Sequence, residues 1–337
     1  MSSLFPIFQE KRSRRGRLLP ALLLATLAGI GFILFCLSAI LADIAMTIPP
    51  VSHSGWTPAM AGLGYEEREA TASDGVRLAG WFIAPDERAQ GRNLPTVVIV
   101  HGLGAGKEFM VNYILLAHQQ GYPVLAIDLR GHGASAPGLT TLGYREPLDI
   151  VAWARTLRAA GTTRVIFWGT SLGAVTSLRG AAAVEKAASD PVSGLQGLSV
   201  AGVIADAPFD TLPHSIANHG RIFFHLPYFP LVPLTEWQIH RKFGFATSEV
   251  DSLAAVRHLH APVLILAAEL DQRMPRPEVH AIYEAAAEPK EFYLIPGETH
   301  ETRRFAPAFR ERITAFLARY STGQPTGPVP TAPEQAR

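Results

Sequence analysis

The chain has 337 residues, 30 Lys+Arg against 29 Asp+Glu for a net charge of +1, and a hydrophobic fraction of 48%. That is room for one large domain with extras, or two small ones, and it carries no basic or acidic field of the kind that nucleic-acid binding needs. Its only cysteine, Cys36, lies in an apolar N-terminal stretch, which excludes an internal disulfide, a cysteine zinc site and a cysteine nucleophile in any soluble domain.

Lys11, Arg12, Arg14, Arg15 and Arg17 make residues 1–17 basic, and no charged residue then occurs from Leu18 through Ala42. As a helix those positions span about 37 Å at ~1.5 Å each, enough to cross a ~30 Å hydrocarbon core. No Lys or Arg follows until Arg68. The asymmetry predicts a cytoplasmic N-terminus and a remainder on the far side of the membrane, the periplasm in a Gram-negative bacterium. A cleaved signal peptide is the competing reading. Its apolar core is usually shorter, and no small-x-small site follows this one, since Ile40 precedes Ala42 and Asp43 precedes Ala45. An uncleaved signal anchor over 18–42 is therefore expected, followed by a linker over 43–64.

Strand and helix signals then alternate. Tyr65 to Ala72 and Val76 to Ala84 read as a hairpin turned at Asp74-Gly75. Thr96 to Val100 is a β-branched strand, Lys107 to Gln120 a helix, Val124 to Asp128 a strand and Glu146 to Ala160 a helix. Arg164 to Trp168 and Val203 to Ala205 are further strands, with a helix from Leu172 to Ala188 between them. Pro262 to Ala268 and Glu291 to Ile295 complete the strands, and Pro277 to Ala287 and Phe305 to Tyr320 the helices. Such alternation implies an α/β fold with a mostly parallel central sheet and helices on both faces. Residues 65–320 form this domain, and the tail 321–337, rich in Pro, Thr and Gly, is expected to be disordered.

Gly169-Thr170-Ser171-Leu172-Gly173 joins a strand to a helix, the G-x-S-x-G nucleophile elbow. A serine hydroxyl needs a base and the base an orienting carboxylate, in chain order Ser, acid, His. Asp271 and His300 follow the strands ending at Ala268 and Ile295, the carboxyl ends where parallel sheets gather chemistry. The N–H groups of Leu172 and of Leu103, in His101-Gly102-Leu103-Gly104 after a strand, are the expected oxyanion donors.

These blocks, with Asp128-Leu129-Arg130-Gly131-His132-Gly133 between them, resemble the α/β-hydrolases, in the serine-aminopeptidase and monoacylglycerol-lipase-like branch. The resemblance runs from about Tyr65 to Tyr320 and implies that fold. Two departures fall near the acid and the base: Ala267-Ala268-Glu269 stands where many relatives carry His-Gly, and Thr299 precedes the histidine. The resemblance gives His132 a structural hydrogen-bonding role with Asp128 and Arg130. His101 is read as a brace for the oxyanion loop.

Asp206, Asp210 and Glu269 compete with Asp271 for the acid role, Asp206 most directly because it too ends a strand. Gly102 to Lys107 fails as a phosphate loop, because His101 replaces the first glycine and Glu108 the Ser/Thr. His300-Glu301-Thr302-Arg303-Arg304 lacks the second histidine of a zinc protease. Neither a metal nor a cofactor is implied. Residues 211–260 carry a dense apolar run, Phe223 to Leu234, broken by Pro227, Pro230 and Pro233. It reads as a cap in short pieces over the catalytic face, with Phe223 and Phe229 touching substrate, or as aromatics that only pack on the domain.

The expected function is a membrane-anchored serine hydrolase of carboxylic esters or thioesters with an apolar acyl group. The alternatives are a peptidase or amidase of the same fold and a non-catalytic, membrane-tethered binding module.

Overall fold

The runs TVVIV, VLAI and VLILAA contain no charged residue and little alternation, the composition of strands buried on both faces. In a computed structural model that describes residues 10–48, 54–86, 89 and 91–321, they become β3 (Thr96–Val100), β4 (Val124–Ile127) and β7 (Val263–Ala268), buried throughout. With β1 (Glu66–Thr71), β2 (Arg77–Ile83), β5 (Arg164–Thr170), β6 (Ser199–Asp206) and β8 (Lys290–Ile295) they form one sheet in the order β1-β2-β4-β3-β5-β6-β7-β8. β1 and β2 are the antiparallel hairpin, β2 pairs antiparallel with β4, and the rest of the sheet is parallel. The sheet is that of an α/β-hydrolase fold.

One face of the sheet is covered by α3 (Glu146–Ala159), α4 (Leu172–Ala188), α7 (Ser252–Arg257) and α8 (Arg276–Ala285), the other by α2 (Val111–Gln119) and α9 (Pro307–Tyr320). Trp153 and Trp168 anchor the two layers, each fully buried and contributing roughly 1.5–3 kcal/mol or more by burial. The expected helix from Lys107 begins instead as a 3₁₀ turn, Lys107–Phe109, because Lys107 turns inward to pair with Asp128. β6 is longer than its apolar core suggested and carries Asp206 at its end.

The insertion after β6 leaves and returns at one point: Leu212 N–H donates to Val250 C=O (3.0 Å) and Ser252 N–H to Asp210 C=O (2.7 Å). Between them lie α5 (Leu212–Phe224) and α6 (Leu231–Phe243). His225, with φ 52°, ends α5, and Pro227 and Pro230 occupy the turn. Pro233 does not break the chain as its sequence position suggested. It sits in the first turn of α6, where an N–H has no intrahelical partner to lose.

The N-terminal helix α1 (Glu10–Met46) is 37 residues long, and its segment Leu18–Met46, with an 18-residue window of mean hydropathy 2.4, is long and apolar enough to cross a membrane. It runs past Ala42, so the stretch expected as linker begins as helix. Ala42 and Met46 are buried against the domain, and Lys242 of α6 pairs with Asp43 at 2.8 Å. Residues 1–9 and the tail from 322 onward lie outside the described residues.

Candidate active site

The elbow is built from backbone crowding. Ser171 links β5 to α4 with φ 55° and ψ −120°, a conformation that an L-residue adopts only under constraint. Its N–H donates to Asp206 C=O at 2.8 Å, tying the turn to the neighbouring strand. A Cβ on Gly169 would sit 2.0 Å from Gly173 O, and one on Gly173 would sit 2.2 Å from Val100 O. Only glycine fits either place, the physical reason for the motif's two outer positions. Leu172 opens α4, so its N–H has no intrahelical acceptor and lies at the positive end of the helix. Against this turn lies the loop after β3: a Cβ on Gly102 would be 3.4 Å from Ser171 Cβ, and Leu103 borders the same cavity as Ser171 and Leu172.

Asp271 and His300 meet across the ends of β7 and β8. His300 Nδ1–H donates to Asp271 Oδ2 at 2.6 Å, while Asp271 Oδ1 accepts the N–H groups of Arg273 (2.9 Å) and Met274 (3.0 Å). Burial pushes the Asp271 carboxyl up, but the His300 bond, the Met274 amide and the charge of Arg303 together hold it below the ordinary carboxylate range. A carboxylate on Nδ1–H leaves the Nε2 lone pair of His300 free to accept a proton. Among the described residues no hydrogen bond joins His300 to Ser171.

The other acids are engaged elsewhere. Asp206 is fully buried beneath the elbow, where the Arg303 guanidinium spans both its carboxylate oxygens and Tyr113 O–H donates to it at 3.0 Å. Arg303 also donates to Thr170 Oγ1 at 2.6 Å, so it fastens the histidine loop to the elbow. Sequence reading missed Arg303, whose one signal was its position three residues after His300. Asp210 pairs with His214 (2.8 Å), and Glu269 accepts Gly297 N–H (2.8 Å).

The two loop histidines are hydrogen-bonded on both ring nitrogens. His101 Nδ1 bonds Gly102 C=O (2.7 Å) and Nε2 accepts Leu129 N–H (3.0 Å). His132 Nδ1 bonds Arg130 C=O (2.9 Å) and Nε2 accepts Gly104 N–H (3.2 Å). Burial, with the adjacent His132, lowers His101 to about 4, and burial also lowers His132, so both are neutral braces. Among the described residues Asp128 makes no hydrogen bond to His132, and its carboxylate instead takes Lys107 and the Ala134 N–H.

A cavity of about 770 Å³ opens beside Ser171, within the size range of small-molecule sites. Leu103, Leu172, Phe209, Leu212, Ile216 and Phe223 are among its apolar walls, and Ile40, Leu41, Ile44 and Ala45 of α1 add another. Phe223, one of the two aromatics expected to touch substrate, borders this cavity. The other, Phe229, is 77% exposed at the turn between α5 and α6, outside that lining. Asp210, His214 and Glu278 bring three donor atoms within 4.8 Å of one another beside α5. Their carboxylates already serve His214 and Asn218.

The chain is similar to the uncharacterised protein YqkD of Bacillus subtilis, 27% identical over 262 residues, covering 75% of this chain and 81% of that one. It is 26% identical over 230 residues to the lysophosphatidylserine lipase ABHD12 of Danio rerio, covering 66% of this chain and 53% of the lipase. Among solved structures, an esterase of Pyrococcus furiosus superposes with a TM-score of 0.63 at 25% identity, covering 82% of this chain and 98% of the esterase. The family model "Alpha/beta hydrolase family" matches residues 97–321, and on that match the chain belongs to the alpha/beta hydrolase family.

Proposed function

We propose that the protein is a membrane-anchored serine hydrolase that cleaves carboxylic esters or thioesters bearing an apolar acyl group. One observation carries this reading: Ser171, in its constrained elbow, borders a cavity whose walls are largely apolar. Ser171 Oγ attacks the carbonyl carbon as His300 Nε2 takes its proton. Asp271 holds the imidazole in the Nδ1–H tautomer and stabilises the imidazolium. The N–H groups of Leu172 and Leu103 receive the oxyanion, each contributing a few kcal/mol at the transition state. The proton on His300 goes to the leaving alkoxide or thiolate, and water then hydrolyses the acyl-enzyme by the same steps.

The lining favours an acyl chain over a peptide. A free amino terminus calls for an unpaired carboxylate, and the cavity's acid, Asp43, is already held by Lys242. Esterase and lipase relatives support hydrolase chemistry of this type. In the cell, α1 spans the membrane with its basic end in the cytoplasm and the catalytic domain across from it.

A panel of p-nitrophenyl esters of increasing acyl length tests the reading. Each methylene buried adds up to ~0.8 kcal/mol to transition-state binding, so kcat/KM should rise through medium chains and then level off. Phe223→Ala should blunt the rise, whereas Phe229→Ala should leave it intact, given where Phe229 lies. A flat profile in the unaltered enzyme would contradict the acyl-ester assignment.

A further inference from the structure

The end of the anchor helix is part of the cavity, and that joins two features which the sequence keeps separate. Ile40, Leu41, Ile44 and Ala45 of α1 face the same space as Ser171, although some 130 residues of chain lie between them. The helix is fixed there by the cap. Lys242 Nζ bonds Ala39 C=O (3.2 Å) as well as the Asp43 carboxylate, Gln238 Nε2 bonds Phe35 C=O (3.4 Å), and the Phe35 and Trp237 rings lie 6.0 Å apart.

Depth follows from helix geometry. About 20 helical residues cross a ~30 Å hydrocarbon core, so a span that begins at Leu18 leaves the core near Ser38. Ile40 then lies roughly 3 Å and Ile44 roughly 9 Å beyond it, at and just outside the headgroup layer whose inner edge holds the ester groups of glycerolipids. The cap carries a matching apolar edge: Phe223, Phe224, Tyr228, Phe229 and Trp237 are 52%, 48%, 59%, 77% and 48% exposed. Aromatic side chains collect at this boundary, where a ring can be half in hydrocarbon and half in water. Ile40 and Ile44 line the cavity that Ser171 borders and are also 55% and 49% exposed, so the cavity wall reaches the outside of α1 there.

From this arrangement, and resting on the serine-hydrolase reading above, we propose that α1 is a wall of the acyl site and that the substrate is a glycerolipid ester of the bilayer in which α1 is embedded. The lipid's acyl chain moves along α1 at Ile40 and Ile44 into the cavity without crossing water. Its ester carbonyl then reaches Ser171 at interface depth. The anchor therefore does more than tether the enzyme, since it supplies part of the binding surface.

The test uses the full-length protein in phosphatidylcholine vesicles and a hexadecyl fluorophosphonate with a diazirine at mid-chain. The phosphonate bonds to the active serine, and irradiation then marks whatever lies along the alkyl chain. The expected result is an adduct on Ser171 with cross-links to peptides that contain residues 40–47. A Ser171 adduct whose cross-links fall only elsewhere overturns the proposal and leaves the serine-hydrolase reading standing. No adduct on Ser171 overturns both. Ile44→Trp gives an independent arm by filling the cavity at that wall. Hydrolysis of a vesicle-borne long-chain monoacylglycerol should fall about tenfold or more relative to p-nitrophenyl acetate, whose small acyl group does not need the wall. An unchanged ratio of the two rates contradicts the inference.

Discussion

Replacing the two buried aspartates at the strand ends separates chemistry from architecture. In Asp271→Asn the oxygen must stay at the Oδ1 position, because the N–H groups of Arg273 and Met274 both donate there. The NH₂ group is then forced to the Oδ2 position, 2.6 Å from His300 Nδ1. Two donors cannot face each other, so the imidazole must move its proton to Nε2 and loses its capacity as a base. The expected loss in kcat is about four decades, or ~5.5 kcal/mol at ~1.36 kcal/mol per decade. Stability should change little, since both amides keep their acceptor. Asp206→Asn has the opposite outcome. It leaves the Arg303 guanidinium, 3% exposed, without its counter-charge, at a cost of about 3–5 kcal/mol. At ~2–4 °C per kcal/mol that lowers Tm by roughly 10 °C, while kcat stays within about tenfold. Steady-state hydrolysis of p-nitrophenyl butyrate and thermal unfolding by circular dichroism read the two effects. An Asp206→Asn protein of normal Tm but no turnover, beside an active Asp271→Asn protein, would refute the assignment of the acid.

Other outcomes follow from the same contacts. Gly169→Ala places a methyl 2.0 Å from Gly173 O and should cost at least about 4 kcal/mol or prevent folding, while Gly138→Ala, with open space around it, should be neutral; equal expression and Tm for both would contradict the crowding argument. Burial keeps His101 neutral down to about 4, whereas the unfolded chain binds that proton near pH 6.5. Stability is thus fully present above that value and falls as pH drops toward about 4, so a Tm that stays constant over this range would be the contrary result. For topology, a reporter that works only outside the cytoplasm, fused after Arg337, should be active and stay in the membrane fraction; activity confined to a cytoplasmic reporter would reverse the orientation.

The secondary structure was legible because the strands of a buried parallel sheet are apolar runs bounded by turns: the strand Thr96–Val100 and the helix Leu172–Ala188 have the limits that their sequences suggest. The elbow was legible for a related reason, since its glycines answer to a local collision. What the sequence did not disclose depends on contacts between distant segments. Nothing local distinguishes Phe223, which lines the cavity, from Phe229, which faces outward in the turn between α5 and α6, and Pro233 reads as a breaker unless its place in the first turn of α6 is known. The pairing of Arg303 with Asp206 spans 97 positions and left no pattern along the chain. The hydropathy of Leu18 to Ala42 suggested a span, yet an apolar residue facing lipid and one facing a cavity look alike in sequence, so the contribution of Ile40 and Ile44 to the site was invisible.

The most direct measurement is reaction of the purified full-length protein with a small fluorophosphonate, followed by intact-mass and peptide mass spectrometry. Only a serine with a base and an oxyanion site reacts rapidly. One adduct per chain is expected, on the peptide containing Ser171, together with loss of ester hydrolysis at the same rate and no adduct in Ser171→Ala. A protein that stays unlabelled, or one labelled on Ser215, the other serine bordering the cavity, would contradict the assignment of Ser171 as the nucleophile.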